Sequence, residues 1–342
     1  MRSIITSILL AAGLTATAQN KMPGKVHLGL IYPISSNGTH APLDTNNLSI
    51  NLLGGISAEE KGLSFAGISN VVKGNTHGAQ FAGFSNHILK KASGAQFAGF
   101  MNTYGEGDGF AFAGFTNIAS GNVKGGQFAG FANIARDISA SQLAGFINTA
   151  KDVKGSQLAG FINVARKVKG VQIAGFINVA DSSDHPIGLI NIIKNGEKSI
   201  GLSMDETQNA MLTFRSGGKV LYGILGIGYN FKNKDEVYAI EAGFGAHFFQ
   251  SKSFRLNAEA TALSLEDFKK GEYFKTTLRV LPAFKITPFL EIFAGPSINY
   301  VNTNTLEGRK LTKKYLHQWE NKWGDNLQGL YAGYTGGIHV VF

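Results

Sequence analysis

Apolar and polar side chains alternate with a period of two through the C-terminal third of the chain, which predicts β-strands. Between Tyr238 and Phe248, the residues Tyr238, Ile240, Ala242, Phe244, Ala246 and Phe248 share one face. Glu241, Gly243, Gly245 and His247 share the other. The next run sorts Phe254, Leu256, Ala258, Ala260 and Ala262 from Arg255, Asn257, Glu259 and Thr261. Its successor sorts Phe274, Leu278, Val280 and Phe284 from Lys275, Thr277, Arg279 and Lys285. The pattern predicts strands over about 219–231, 236–249, 253–264, 273–285, 288–301 and 329–342. Two further runs near the start alternate in the same way, "KVHLGLIYP" through Val26, Leu28, Leu30 and Tyr32, and "LSINLLGG" through Leu48, Ile50 and Leu52. The expected total is eight strands.

Alternation alone also fits a soluble sandwich with its apolar face turned inward. The strands are long, aromatic residues stand near their ends, and short connectors (251–253, 286–288) alternate with long ones (265–272, 303–328). These features favour a membrane barrel with its apolar face outward. Eight strands close a barrel that side chains fill, without a wide pore. The expected inward set, Lys25, His27, Glu241, His247, Arg255, Glu259, Lys275, Arg279, Lys285 and Glu291, reads as a charge network that neutralises itself. Acid and base types coexist there, but no spacing singles out a catalytic pair.

Between these regions one phrase recurs: Gln, an aliphatic or Phe, Ala, Gly, Phe, a variable residue, Asn. Its glycines fall at Gly67, Gly83, Gly99, Gly114, Gly130, Gly145, Gly160 and Gly175, in steps of 15 or 16, with shorter echoes at Gly55, Gly188 and Gly201. A fixed period marks one structural unit copied along an axis. In a meandering barrel the connectors would alternate in length, and here they do not, so a parallel β-solenoid is favoured. The alternative is one large meandering β-barrel that includes the repeats. Stacked coils would set Asn86, Asn102, Asn117, Asn133, Asn148, Asn163 and Asn178 in one amide ladder. Phe84 through Phe176 would form an aromatic stack, and Gln80, Gln96, Gln127, Gln142, Gln157 and Gln172 a second amide ladder. The recurring V-K-G (Val72, Val123, Val153 and Val168 onward) reads as a coil corner that tucks valine in and sets Lys73, Lys124, Lys154 and Lys169 along a solvated edge.

The other face of the repeat strand changes from Ser85 and His87, through Thr116, to Ile147, then Ile162 with Val164, then Ile177 with Val179. A strand apolar on both sides needs cover from the barrel, a partner or lipid, so Ile147, Ile162 and Ile177 are candidate partner contacts. Tyr315, Trp319 and Trp323 stand four residues apart, on one face if helical. They read as an interfacial helix or an aromatic docking site.

Composition agrees with a β-rich chain: 44 glycines, 7 prolines, 25 phenylalanines and 16% charged residues. Residues 1–18 read as an export signal, with Arg2, the apolar stretch Ile4 to Leu14 and the small-residue site Ala16-Thr17-Ala18, and the mature chain is expected from Gln19. No later apolar run reaches the length of a transmembrane helix, so entry into a membrane requires a barrel. The absence of cysteine removes disulfides and thiolate metal sites. The formal charge of +9 suits anionic partners such as outer-membrane lipid and lipopolysaccharide; export argues against nucleic acid. Thr335, Gly337, Val340 and Phe342 resemble the terminal signal read by the barrel-assembly machinery. "YGEGDG" lacks the strand-to-helix context of a phosphate loop, and Asp181, Asp184 and His185 read as turn capping. No catalytic, cofactor-binding or metal residues are expected.

"YPISSNG", "LSINLLGG", the "GxQxAGFxNxA" copies and the barrel-like tail together resemble the surface-repeat outer-membrane β-barrel proteins of Bacteroidota and related bacteria. The resemblance implies the outer membrane of a diderm bacterium and carries no assigned activity. The expected organisation is a signal at 1–18, two barrel strands within 19–57, a repeat region at 58–216 and further barrel strands at 217–342. Connector lengths put both ends of the repeat region on the periplasmic side. The expected fold is all-β, a small barrel with an inserted solenoid. The expected role is non-enzymatic, structural or docking an envelope protein, the alternative being a porin or transporter in which the repeats join a large barrel.

Overall fold

A computed structural model describes residues 26–268, 272–320 and 326–342; the expected signal, Lys25 and Trp323 lie outside the described residues. The chain divides into two compact units, Met1–Arg166 and Lys167–Phe342.

In the first unit repeat strands pair in parallel with the equivalent strand one repeat earlier, and the repeated asparagines stay in register, with bulges between Asn46 and Leu48 and between Ile88 and Lys91. Asn70 lies beside Asn86, Asn86 beside Asn102, Asn102 beside Asn117, and the series continues through Asn133 and Asn148 to Asn163. Neighbouring strands of an up-and-down meander run antiparallel, so the repeats are a β-solenoid and the single large barrel is excluded. The later coils are three-sided, as in Gln142–Ala144, Ile147–Thr149 and Asp152–Val153.

The near-constant Ala-Gly-Phe corner has a steric cause. A Cβ at Gly130 would lie 2.1 Å from the carbonyl oxygen of Gly114, and the same approach recurs at Gly99, Gly114, Gly145 and Gly160. Only glycine lets adjacent corners stack this closely. The coil interior is amide-rich, with Asn102, Asn117, Asn133 and Gln142 fully buried, while Phe100, Phe115, Phe131 and Phe146 are exposed.

The second unit begins with two further parallel pairs, Lys167–Ala174 with Ser182–Ile187 and Ile177–Ala180 with Ile190–Ile193. Eight antiparallel strands follow: β1 (Lys198–Asp205), β2 (Asn209–Gly217), β3 (Leu221–Asn230), β4 (Tyr238–Phe248), β5 (Phe254–Glu266), β6 (Tyr273–Thr287), β7 (Leu290–Thr303) and β8 (Leu327–Val341). Each pairs with the next, and β1 pairs with β8 to close the barrel.

Six of these strands match the expected ones to within a few residues; the other two expected strands need correction. Val26–Ile31 and Thr45–Ser57 pair in parallel with each other and form the start of the solenoid. The missing barrel strands are β1 and β2, which fall inside the expected repeat region. Both architectures turn apolar side chains out and polar ones in, so alternation cannot tell a solenoid strand from a barrel strand. Gly201, counted as an echo of the repeat, is a glycine of β1 facing His339, Arg215 and Thr213.

Candidate functional site

The barrel interior is filled by charge. On β5, Glu259 accepts from Arg215 Nε at 2.8 Å, from Arg279 Nε at 2.7 Å and from the Tyr222 hydroxyl at 2.8 Å. Arg279 also reaches Glu241 at 3.0 Å, and Arg255 bridges Glu197 and Glu291 at 2.5 and 2.6 Å. Lys275 pairs with Asp205. Taking these groups out of water costs several kcal/mol per ion, which only paired, multiply hydrogen-bonded geometry recovers. The space left beside Asp205, Glu241, Lys275 and Arg279 is about 10 Å³, room for roughly one water molecule. Of the expected inward set, His27 instead faces the solenoid interior, and Lys285 is only half-buried.

Outside, the polarity inverts. Leu278, Ile227 and Ile298 are 61, 64 and 57% exposed, on the same strands that bury Arg279, Gly226 and Asn299 between them.

Both mouths of the barrel are occupied. Thr305 caps the short helix α1 (Leu306–Leu311) by accepting from Gly308 N at 3.1 Å. Leu311 is thereby packed into an apolar cluster with Met211, Leu263, Leu265, Tyr273, Val301 and Tyr331. At the other end, where connectors 218–220, 249–253 and 288–289 lie, Asn191 donates to the Ser216 carbonyl at 2.9 Å and Lys198 to that of Ile193 at 2.8 Å. A Cβ at Gly223 would meet the Gly188 carbonyl at 2.1 Å, so the last coil lies directly against β3.

In the solenoid the expected asparagine and phenylalanine ladders form, and the glutamine ladder forms in part, since Gln80 makes no side-chain hydrogen bond to Gln96. Side-chain amides link Asn70, Asn86, Asn102, Asn117, Asn133, Asn148 and Asn163 at 2.9–3.0 Å. Gln142 donates to Gln127, and Gln157 to Gln142, both at 2.8 Å. Phe84, Phe100, Phe115, Phe131, Phe146 and Phe161 stack at 4.8–5.0 Å.

Three features had escaped sequence reasoning. Phe65, Phe81, Phe97, Phe112 and Phe128 form a second stack. Where Ala111 interrupts the glutamine column, Tyr104 fills the gap and accepts from Gln127 Nε2 at 2.8 Å; the copy's missing glutamine was the available signal. Glu60 is buried, with Asn46 and Ser49 donating to Oε1 at 3.1 and 2.7 Å and Oε2 without a hydrogen-bond partner among the described residues. Burial holds its carboxyl above the ordinary value.

Ile147 and Ile162 are paired neighbours, half-buried on the outward side of their coils, and Ile177 lies beside Ile190. The V-K-G corners are not all equivalent. Val123 and Val153 both stack on Ile138, whereas Val72 pairs with Ile88, so Lys73 stands at a different corner from Lys124 and Lys154. The helical face expected for Tyr315 and Trp319 is absent. His317–Glu320 is a strand paired with β8, in which Trp319 Nε1 donates to Gln328 at 2.7 Å. Tyr315 turns edge-on to Tyr331. Asp181 pairs with Lys194 at 2.5 Å, and among the described residues no group of three or more His, Asp or Glu could hold a metal ion.

No family model and no curated protein matches the chain. A solved structure, the crystal structure of Neisserial surface protein A (NspA), is similar at 11% identity with a TM-score of 0.23. It covers 42% of this chain and 93% of that one, a likeness too slight to carry an argument.

Proposed function

We propose that this chain is a non-enzymatic outer-membrane β-barrel protein whose sealed barrel anchors a solenoid in the periplasm, as a structural or docking element of the cell envelope. The observation that carries the reading is the inverted barrel, with Glu259 held between Arg215 and Arg279 inside and Leu278 and Ile298 exposed outside. A hydrocarbon surround requires large aliphatic side chains outside, and a closed antiparallel barrel leaves no backbone edge unpaired within it.

Outer-membrane barrels keep short turns on the periplasmic side. Here the chain enters β1 and leaves β8 at the end of 218–220, 249–253 and 288–289, while the far end carries the long connector 304–326. These connector lengths support a periplasmic position for the barrel end that adjoins coils 167–193. The terminal strand, with Thr335 buried and Phe342 exposed, supports recognition by the barrel-assembly machinery, and the surface-repeat family remains the proposed kinship. Outer-membrane lipid and lipopolysaccharide are the proposed surround.

A porin or transporter role is opposed by the filled interior and the two occupied mouths. Purified protein inserted into planar bilayers tests this: no ion conductance is expected, and a reproducible open channel contradicts the sealed-barrel reading.

A further inference from the structure

One side of the solenoid has a make-up that its own fold does not use. Over three successive coils it presents a phenylalanine at one edge, mostly aliphatic residues across the middle, with Ala132 buried among them, and a base at the other edge. The rows are Phe131, Ala132, Ile134 and Arg136; then Phe146, Ile147, Thr149 and Lys151; then Phe161, Ile162, Val164 and Arg166. The asparagines between them face inward. The phenylalanine rings stack on one another at 4.9–5.0 Å with their edges about two-fifths exposed, and Ile134 is 41% exposed. The bases stand in file because Lys151 N donates to the Arg136 carbonyl and Arg166 N to that of Lys151, both at 2.6 Å. Arg166 is paired with Asp152, whereas Arg136 and Lys151 carry no ion pair among the described residues.

We propose that this side lies flat on an anionic lipid surface, with the phenylalanine edge at the headgroup–acyl boundary and the basic edge on lipid phosphates. The inference rests on the membrane reading above. An apolar stripe bordered by bases is the surface pattern that interfacial segments use, the apolar part buried and Lys and Arg drawn to anionic headgroups. The repetition selects the same partner. The three coils offer similar contacts about 5 Å apart, with no single large side chain standing out among them as the hot spot of a folded partner's site would. A bilayer surface is uniform along that axis and needs no register.

The chain has no cysteine, so single-cysteine variants of the full chain can each carry one environment-sensitive fluorophore in vesicles of phosphatidylethanolamine and phosphatidylglycerol. Leu278→Cys on the barrel exterior reports insertion, Ile134→Cys reports the proposed face, and Ser139→Cys reports another corner of the same coil. Brominated lipid is expected to quench the probes at 278 and 134 and to leave that at 139 unchanged. Replacing Arg136, Lys151 and Arg166 with Gln, or omitting the anionic lipid, is expected to abolish quenching at 134 alone. Quenching at 278 without quenching at 134 overturns the docking proposal and leaves the membrane reading intact. A probe at 134 that is shielded only at high protein density and never quenched overturns it in favour of a second copy of the chain. Absence of quenching at 278 overturns both.

Discussion

Asn133 donates its side-chain amide to Oδ1 of Asn148 at 3.0 Å, and the same nitrogen donates to the Leu143 carbonyl at 2.6 Å. Asn117 in turn donates to Asn133 Oδ1 at 3.0 Å, so each amide serves the coil on either side.

Asn133→Leu should therefore cost more than one hydrogen bond. It strands the Asn117 donor, the Asn148 acceptor and the Leu143 carbonyl in a buried site, at about 1–3 kcal/mol each. A shift of the denaturant midpoint corresponding to about 3 kcal/mol or more is expected in detergent solution, and Asn133→Asp should do no better because a carboxylate supplies no donor. A shift below the cost of a single hydrogen bond would mean that the ladder is dispensable.

Gly130→Ala tests the corner. With the new methyl directed at the Gly114 carbonyl, the coils must part, and overpacking of this kind costs typically 1–3 kcal/mol. Ser139→Ala, at an exposed corner of the same coil, should be close to neutral in the same melts.

Glu60 makes solenoid stability depend on pH. Burial raises its folded-state pKa above the usual 4.5, so the folded form favours the proton. Stability is then highest below the unfolded value, falls as pH rises towards the folded value and levels off above it. Glu60→Gln keeps the acceptor that Asn46 and Ser49 use and places a neutral NH₂ where Oε2 now stands. Thermal melts should show the variant more stable than the parent at pH 7.5 and no more stable at pH 4; equal stability at both values would remove Glu60 from the account.

Much of this was legible in the sequence. The amide and phenylalanine ladders follow from near-identity at fixed spacing, and six barrel strands follow from alternation. The two missed barrel strands, Lys198–Asp205 and Asn209–Gly217, were hidden because barrel and solenoid share one rule, apolar outside and polar inside. Only pairing direction separates them, and pairing is a long-range property. Tyr315 and Trp319 misled for a related reason: spacing at four is a helical signal only if the segment is helical, and β8 recruits His317–Glu320 into the sheet instead. Glu60 gave no local signal, since its burial depends on stacking between Asn46 and Thr76.

Arg279→Ala leaves Glu241 and half of Glu259 without a counter-charge inside the barrel. Breaking a buried pair on one side costs about 3–5 kcal/mol, so the folded barrel should unfold at distinctly lower temperature on heat-shift gels. Leu278→Ala, on the outer face of the same strand, should alter that temperature far less.

Single-cysteine accessibility in whole cells tests the proposed orientation, a membrane-spanning barrel whose adjoining coils 167–193 face the periplasm. Arg309→Cys, in α1, and Lys169→Cys, in the coils next to the barrel, would each be exposed to a membrane-impermeant maleimide before and after the outer membrane is permeabilised. The account predicts labelling at 309 in intact cells and at 169 only after permeabilisation; labelling at 169 in intact cells would contradict it.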